Sequence, residues 1–463
     1  MRKPLANALD IDLRGGLTDK VTPHAGVALL IETARRSGVI AAAERALPAK
    51  ASPKGLRPGE MVEALVLLSA LGGDCIDDLD GLRRDQGLAA LTGYPLPAAS
   101  TARQWLERFH DPAAVADRPV QGSFIPAETH GVAGLRTAVA HSVRAYVTAV
   151  QPERTVTLDV DAHIVESSKR DALPTYTGER GYQPLLVTWA ETGLVLADEF
   201  RDGNVPASVG IKDLVDSAAA TLPPRADGWA MRVRSDSAAY ESPNLDHWDA
   251  RGWTFAVSAD MSPQLRAAVE AVPEAAWHLW AEERGGVVRE WAEVTYVPSR
   301  AVERKDQQPY RYVAIRVRQT QGRLFGDGTP VKHFAVVSND WEMDGQALLE
   351  WQRGKAGTIE HVNRVLKDEL AGGVYPSGKF GANAAWLRLQ VLTLNLLELL
   401  KAVGLDPELR QARPKRLRFA VFTQFGRVVD HARLRIVRVA TAALGALLDP
   451  VLGRLRRCPW PAT

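Results

Sequence analysis

The run TVTLDVDAHIV, at residues 155–165, carries two acids that a strand would direct to one side. Successive side chains of a strand point to opposite faces, so Asp159 and Asp161 share a face with neighbouring Thr and His side chains. The apolar residues between them face the other way and are expected to pack in a core. The pattern predicts a strand with an acidic face, on which one acid or both could take part in catalysis.

Two further acids, Asp236 in RSDSAAY and Glu360 in TIEHVNRVLKDEL, follow much later in the chain. Carboxylate oxygens suit Mg²⁺, and a pair of such ions can drive phosphoryl transfer by activating an attacking water or 3′-hydroxyl and stabilising the leaving oxygen. We therefore predict a divalent-cation site made by Asp159 or Asp161 together with Asp236 and Glu360. Simpler roles are also open, because Asp236 could cap the next helix and Glu360 could be a solvated helix residue.

Basic residues near these acids could neutralise the phosphates beside a scissile bond. Lys367 lies two helical turns after Glu360 and projects the same way, which makes it a catalytic as well as a DNA-binding candidate. A surface cation that meets only solvent fits the same pattern. The remaining candidates for DNA contact are Arg353, Lys355, Arg103, Arg108, Lys415, Arg416 and Arg418.

The period of the apolar residues divides the chain into segments. Residues 1–150 predict short helices, which suit a helical DNA-binding domain or an ordinary packing domain. Residues 151–261 predict strands, 262–344 a β-rich insertion, 345–403 helices and 404–463 a basic helical C-terminal region. The predicted class is α/β: an RNase H-like mixed sheet with flanking helices, formed by the second and fourth segments and interrupted by the insertion.

Length and composition restrict the class of protein. The 463 residues are enough for two or three domains, and the two cysteines, Cys75 and Cys458, form neither a disulfide framework nor a zinc motif. No apolar run approaches the length of a membrane helix, so we expect a soluble cytoplasmic protein. Between residues 402 and 463 there are 12 Lys and Arg against 4 Asp and Glu, an excess that could lie along phosphates.

Four features in order resemble the DDE transposases of bacterial insertion sequences, in the branch with a β insertion before the catalytic Glu: LDVDAH, RDGN at 201–204, RSDSAAY and a helix with Glu and Lys seven residues apart. The resemblance implies an RNase H-like fold with two Mg²⁺ or Mn²⁺ ions in each active site. It also implies a homodimer that cleaves double-stranded DNA at terminal inverted repeats and joins it to target DNA. Such a protein acts on the bacterial nucleoid, in the cytoplasm, without a membrane partner.

The resemblance assigns the three acids. Asp236 takes the role of the second acid and Glu360 that of the third. The family's first acid stands in the frame Asp, small residue, Thr, which Asp161 fits except that His163 replaces the Thr. Asp161 is therefore preferred over Asp159.

The chain departs from the family at the signature Tyr-Arg-Glu-Lys. Lys367 matches its Lys, but Ala356 stands where the Arg is often found, and only Trp351 and Arg353 lie nearby. This departure leaves open whether excision passes through a DNA hairpin.

Two other functions fit parts of the pattern. In a haloacid-dehalogenase-like phosphohydrolase, Asp159 would be the nucleophile and Asp161 the acid or base. That fold requires a parallel crossover, whereas Glu191-Thr192-Gly193 is typical of a hairpin. A DNA-binding transposase derivative without catalysis would carry the same residues.

Overall fold

The computed structural model describes residues 20–50, 54–119, 122–169, 171–283, 286–298, 309–319, 325, 328–431 and 434–461. The prediction for residues 1–19 lies outside these ranges, as does part of the predicted β-rich insertion. The described residues form a mixed α/β fold around a nine-stranded sheet, which confirms the α/β class and the large mixed sheet. Within these ranges, no helix has the length and apolarity needed to cross a bilayer.

The segment before residue 151 is mainly helical, as predicted. After the short strand β1 (Val21–Thr22), the helices are α1 (Ala28–Arg36), α2 (Val39–Ala46), α3 (Pro58–Ala70), α4 (Leu79–Leu82), α5 (Gln86–Thr92), α6 (Ala99–Glu107), α7 (Pro112–Ala116) and α8 (His130–Val150). Helix α8 begins where the Thr129 hydroxyl accepts the backbone N–H of Val132.

The next segment supplies half of the large sheet. Its strands are β2 (Thr155–Ala162), β3 (Val165–Glu166), β4 (Leu173–Pro174), β5 (Arg180–Tyr182), β6 (Leu185–Trp189), β7 (Leu194–Glu199), β8 (Ala230–Ser235) and β9 (Thr254–Ala259). Its helices are α9 (Ile211–Thr221), α10 (Ser242–Ala250) and α11 (Pro263–Glu270). Strands β6 and β7 form the antiparallel hairpin that the Glu-Thr-Gly signature predicts.

Strand β2 is central because it pairs antiparallel with β6 on one side and parallel with β8 on the other. Strand β9 continues the parallel arrangement beyond β8. Helices α9 and α10 make the crossovers that parallel neighbours require. The carboxyl ends of β2, β8 and β9 therefore lie at one edge of the sheet.

The β-rich stretch after α11 extends the same sheet. Its strands are β10 (His278–Glu283), β11 (Val287–Val294), β12 (Arg311–Gln319) and β13 (Val331–Ser338). Strand β13 pairs with β9, and the complete strand order is β10-β11-β12-β13-β9-β8-β2-β6-β7. The sequence predicted these strands but not their continuity with the core, because pairing between β9 and β13 joins segments that are distant in the chain.

The helices that follow cover the sheet: α12 (Gly345–Arg353), α13 (Lys355–Glu369) and α14 (Phe380–Val403). Helix α14 is buried along nearly its whole length, as its apolar sequence predicts, and it packs between α8, α3 and the sheet. Its leucines share one hydrophobic core with those of α1 and α3. The boundary predicted at residue 150 thus marks a change of secondary structure, not a division between two cores.

The C-terminal region is not wholly helical, which corrects the prediction for residues 404–463. It contains α15 (Pro407–Arg410), α16 (Pro414–Leu417), a π-helical turn (Arg418–Phe422), β14 (Gly426–His431), β15 (Leu434–Val439) and α17 (Ala442–Arg457). This stretch is rich in Val and Ile, which favour strands. Strands β14 and β15 form a hairpin whose β14 edge pairs with β1.

Candidate active site

The first two predicted acids lie at neighbouring strand ends. In the parallel pair β2–β8, Asp159 is opposite Arg234 and Val160 is opposite Ser235. Asp161 and Asp236 directly follow the last of these paired residues, so their backbones leave the two strands side by side. The fold thus brings together acids that are 75 residues apart in sequence.

Asp159 is fully buried in an ion pair. Arg234 donates from Nε to Asp159 Oδ1 at 2.6 Å and from Nη2 to Oδ2 at 2.8 Å. The Thr358 hydroxyl donates to the same Oδ2. Because a nucleophile or metal ligand must be reached by its partner, this geometry does not support the predicted catalytic, metal-binding or nucleophilic roles of Asp159. The carboxylate joins β2 to β8 and α13 instead.

Arg234 also holds the junction between α12 and α13. Its Nη1 donates to the carbonyl of Trp351 at 2.5 Å, near the end of α12. A Cβ atom on Gly354 would lie 2.6 Å from Nη1, so the junction can approach Arg234 this closely only with glycine. Arg232, two residues earlier on β8, stacks on the Trp351 ring at 3.9 Å. Helix α13 therefore starts at a fixed position against the strand ends.

Asp161 meets α13 at the edge of the sheet. Lys355 Nζ lies 2.9 Å from Asp161 Oδ1, and Asn363 Nδ2 donates to Oδ2 at 2.9 Å. Burial raises the pKa of the Asp161 carboxyl; Lys355 opposes this shift, while the charges of Asp236 and Glu360 add to it. Both other predicted acids therefore lie near enough to Asp161 for their charges to act on it.

Asp236 and Glu360 are both exposed. Asp236 Oδ1 accepts the backbone N–H of Ala238 at 3.1 Å, so the capping role that the sequence left open is observed. Glu360 follows the buried Ile359 and lies on the flank of α13 that also carries Asn363, the partner of Asp161. In the described part of the chain, no three His, Cys, Asp or Glu side chains are already arranged to hold a metal ion.

His163 and Lys367 also contribute to the electrostatics near the acids. The pKa of His163 is lowered to about 4, first by burial and then by the charge of Lys367. The imidazole is therefore neutral at physiological pH. Because Lys367 is itself exposed, its ammonium lies in solvent but within electrostatic reach of the carboxyl end of β2.

The structure separates the predicted DNA-binding residues into exposed and structural groups. Lys355 pairs with Asp161, Arg103 pairs with Asp77 at 2.9 Å, and Arg418 is partly buried and donates to the carbonyl of Glu369 at 2.9 Å. These contacts give the three cations structural partners, so we leave them out of the proposed DNA surface. The exposed group is Arg353, which stacks on Trp280 at 5.0 Å, with Lys367, Arg108, Lys415 and Arg416.

Arg234, Thr358 and Asn363 were absent from the site predicted from the sequence. A signal for Arg234 existed, because it lies two residues before Asp236 and therefore on the same face of β8. Its register against Asp159 required the structure, since nothing in one sequence aligns two parallel strands.

Comparisons with known proteins assign this chain to a family. A solved structure described as the cryo-EM structure of the piggyBac transposase synaptic complex with hairpin DNA aligns with 86% of this chain and 79% of its own, at 11% identity and a TM-score of 0.42. A search of curated proteins gives no match. The family model described as transposase DDE domain group 1 matches residues 6–460, nearly the whole chain, and the protein therefore belongs to this family of DDE transposases.

Proposed function

We propose that this protein is a cut-and-paste DNA transposase that cleaves double-stranded DNA at the terminal inverted repeats of an insertion sequence and joins it to target DNA. The observation that carries the proposal is the position of Asp161 and Asp236 at neighbouring parallel strand ends. Glu360 of α13 lies near enough for its charge to act on Asp161. Family membership supports DNA transposition with divalent metal ions. We also propose that the catalytic core has an RNase H-like fold.

The residues at this edge have the chemistry of a divalent-cation site. Asp161, Asp236 and Glu360 are hard oxygen donors, and the buried Oδ1 of Asn363 has no hydrogen-bond partner among the described residues. Asp236 and Glu360 are exposed, and we propose that their side chains turn towards Asp161 when metal ions bind. We propose that these three acids hold two Mg²⁺ or Mn²⁺ ions, which when bound activate the attacking oxygen and stabilise the leaving one.

The chain's own residues prepare this site. The buried Asp159–Arg234 pair fixes β2 against β8, and Thr358 ties α13 to the same carboxylate. Lys355 supplies a positive charge to Asp161 until a metal ion takes that place. The exposed Lys367 and Arg353 are proposed to contact the phosphates on either side of the scissile bond.

The partner is double-stranded DNA, and we propose a homodimer in which each subunit holds one transposon end. Of the other predicted cations, Arg108, Lys415 and Arg416 are exposed and suitable for phosphate contacts. Burial of the Asp159 carboxylate counts against the phosphohydrolase alternative, because its nucleophile would be out of reach of a substrate.

The test is cleavage of a donor plasmid that carries the insertion-sequence ends, with Mg²⁺ present. Asp161→Asn, Asp236→Asn and Glu360→Gln each remove a proposed ligand, so we expect each to lower cleavage at least about a thousand-fold. Binding to end DNA, measured by gel shift, should change little, because phosphate contacts remain.

The matched control for the first acid is Asp159→Asn, assayed at a temperature at which that variant remains folded. It should retain cleavage, because the Asp159 carboxylate does not reach the DNA. Cleavage lost in Asp159→Asn but kept in Asp161→Asn would reverse the assignment. A wild-type protein that shifts end DNA but never cleaves it would favour the non-catalytic alternative.

A further inference from the structure

His163, which stands in place of the family's Thr, lies on the same face of β2 as Asp161. Its backbone N–H donates to the carbonyl of Pro184 at 3.2 Å, one position beyond the last pair of β2 and β6, Ala162 with Leu185. The ladder therefore continues through His163, and its ring points to the side of Asp161. The two Cα atoms are about 7 Å apart along a strand, which is close enough for both side chains to reach one ion.

Helix α13 lies along this face. Asn363 donates to Asp161, and one turn later Lys367 is near enough to His163 for its charge to act on the ring. Glu360 precedes Asn363 by about one turn, and its charge acts on Asp161. The ring of His163 thus faces the helix that carries the proposed third acid.

One nitrogen of this ring has no protein partner. His163 Nδ1 is buried and has no hydrogen-bond partner among the described residues. The Asp161 carboxylate does not serve as one, because Lys355 and Asn363 contact its two oxygens. Buried polar atoms are normally paired, and imidazole is the commonest side-chain ligand for metal ions. A metal ion held by Asp161 would supply the missing partner.

We propose that His163 is a metal ligand of the active site, where it adds an imidazole nitrogen to the oxygen atoms of the three acids. This inference rests on the proposed function, because the ion is the one held by Asp161. Mg²⁺ is a hard ion that takes oxygen ligands, whereas imidazole suits first-row transition ions, the series to which Mn²⁺ belongs. The ring in place of Thr therefore shifts the preference of the site from Mg²⁺ towards Mn²⁺.

Electron spin-echo envelope modulation of Mn²⁺ bound to the full-length protein, without DNA, tests the coordination. A directly bound imidazole couples its nitrogen to the electron spin of Mn²⁺, so the wild-type protein should show nitrogen modulation. His163→Thr, which introduces the family's residue, and His163→Gln should both lose it. Asp161→Asn should lose the bound Mn²⁺ itself, which assigns the signal to this site.

Metal affinities provide a second measurement on the same variants. Electron paramagnetic resonance titration gives the affinity for Mn²⁺, and competition with Mg²⁺ gives the affinity for Mg²⁺. His163→Thr should bind Mn²⁺ about tenfold more weakly, because it loses the nitrogen ligand. It should bind Mg²⁺ nearly as the wild-type protein does, because the carboxylate ligands remain.

His361 is the matched control, because it is the histidine next to Glu360. Its Nδ1 lies 3.2 Å from Arg364 Nη2, and the charges of Arg413 and Lys401 act on its ring, so it lies towards α14 and α16. His361→Gln should keep the nitrogen modulation and both metal affinities. Circular dichroism establishes that each variant is folded.

Nitrogen modulation that persists in His163→Thr, or that is missing from wild-type protein loaded with Mn²⁺, would overturn the proposal. So would equal weakening of Mn²⁺ and Mg²⁺ binding by His163→Thr, because the ring would then shape the site without touching the ion. In each of these outcomes the acids still bind metal, and the proposed function stands. A wild-type protein that binds no Mn²⁺ would instead refute the proposed metal site, and this inference with it.

Discussion

Two neighbourhoods on strand β2 contain the same residue type and differ in every other respect. Asp159 is fully buried, and its carboxylate accepts three hydrogen bonds, two from the fork of Arg234 and one from Thr358. Asp161, two residues later, has a side chain that is 14% exposed and meets a lysine and an amide. The first neighbourhood is closed, whereas the second opens at the edge of the sheet.

The difference makes the first carboxylate structural and leaves the second accessible enough for the metal site that we propose. A guanidinium fork satisfies both oxygens of a carboxylate in fixed geometry, which suits a permanent buried pair. An ammonium is a point charge on a flexible stem, and an amide donates a single bond to each acceptor, so Asp161 keeps lone pairs that another ligand can use. The identity of the cation therefore distinguishes the two sites.

The largest expected effect on stability comes from opening the buried pair. Asp159→Asn leaves the Arg234 charge buried without its counterion, which should lower the free energy of unfolding by about 3–5 kcal/mol. The double variant Asp159→Leu/Arg234→Met removes both charges and should recover most of this loss. Urea unfolding followed by circular dichroism measures all the variants.

Asp161→Asn is the matched comparison. Burial already disfavours the ionised form of Asp161, so losing its charge should lower the free energy of unfolding much less than Asp159→Asn does. Equal losses in Asp159→Asn and Asp161→Asn would show that the two neighbourhoods do not differ in the way that their contacts indicate.

A third acid, Asp202 in the RDGN segment, extends the comparison to a buried carboxylate that pairs with Arg118. It is 1% exposed and lies 2.9 Å from Arg118, yet burial, its largest influence, raises its pKa to about 6. Because the folded pKa is raised, the favourable contribution of the protonated form is complete at low pH and is lost as pH rises through about 6.

The wild-type protein should therefore lose up to about 3 kcal/mol relative to Asp202→Asn between pH 4 and pH 7. Free energies of unfolding measured for both proteins across this range test the prediction, since other titrating groups cancel in the difference. A difference that is constant with pH would show that Arg118 holds Asp202 ionised throughout.

The smallest expected effect comes from replacing Lys355, whose ammonium group pairs with Asp161. Lys355→Met removes the charge that a metal ion must displace, so Mn²⁺ should bind the free protein about tenfold more tightly, as measured by electron paramagnetic resonance without DNA. Lys367→Met on the same helix is the control and should change Mn²⁺ affinity much less, because Lys367 is exposed. Weaker Mn²⁺ binding by Lys355→Met would mean that the lysine organises the site instead of occupying it.

Much of the fold could be predicted because it is encoded in local patterns. Alternation of apolar and polar residues identified β2, the strand pattern of residues 151–261 covered β8 and β9, and the Glu191–Gly193 turn identified the β6–β7 hairpin. The high apolar content of α14 identified a buried helix. Long-range pairing could not be predicted in this way. Neither the joining of β13 to β9 nor that of β14 to β1 leaves a local signal, because each depends on which strand edge remains available after the core has formed.

The order of residues along the chain was enough to identify those that could do chemistry here: acids on a strand, at a strand end and on an amphipathic helix, in the order typical of DDE transposases. The resemblance favoured Asp161 over Asp159, but the physical difference between them became visible only in the folded structure, because it depends on the register that places Arg234 beside the first and on the helix start that places Lys355 beside the second. Local sequence determines where a side chain points along its own strand. The partner that it meets is set by packing between segments far apart in the chain.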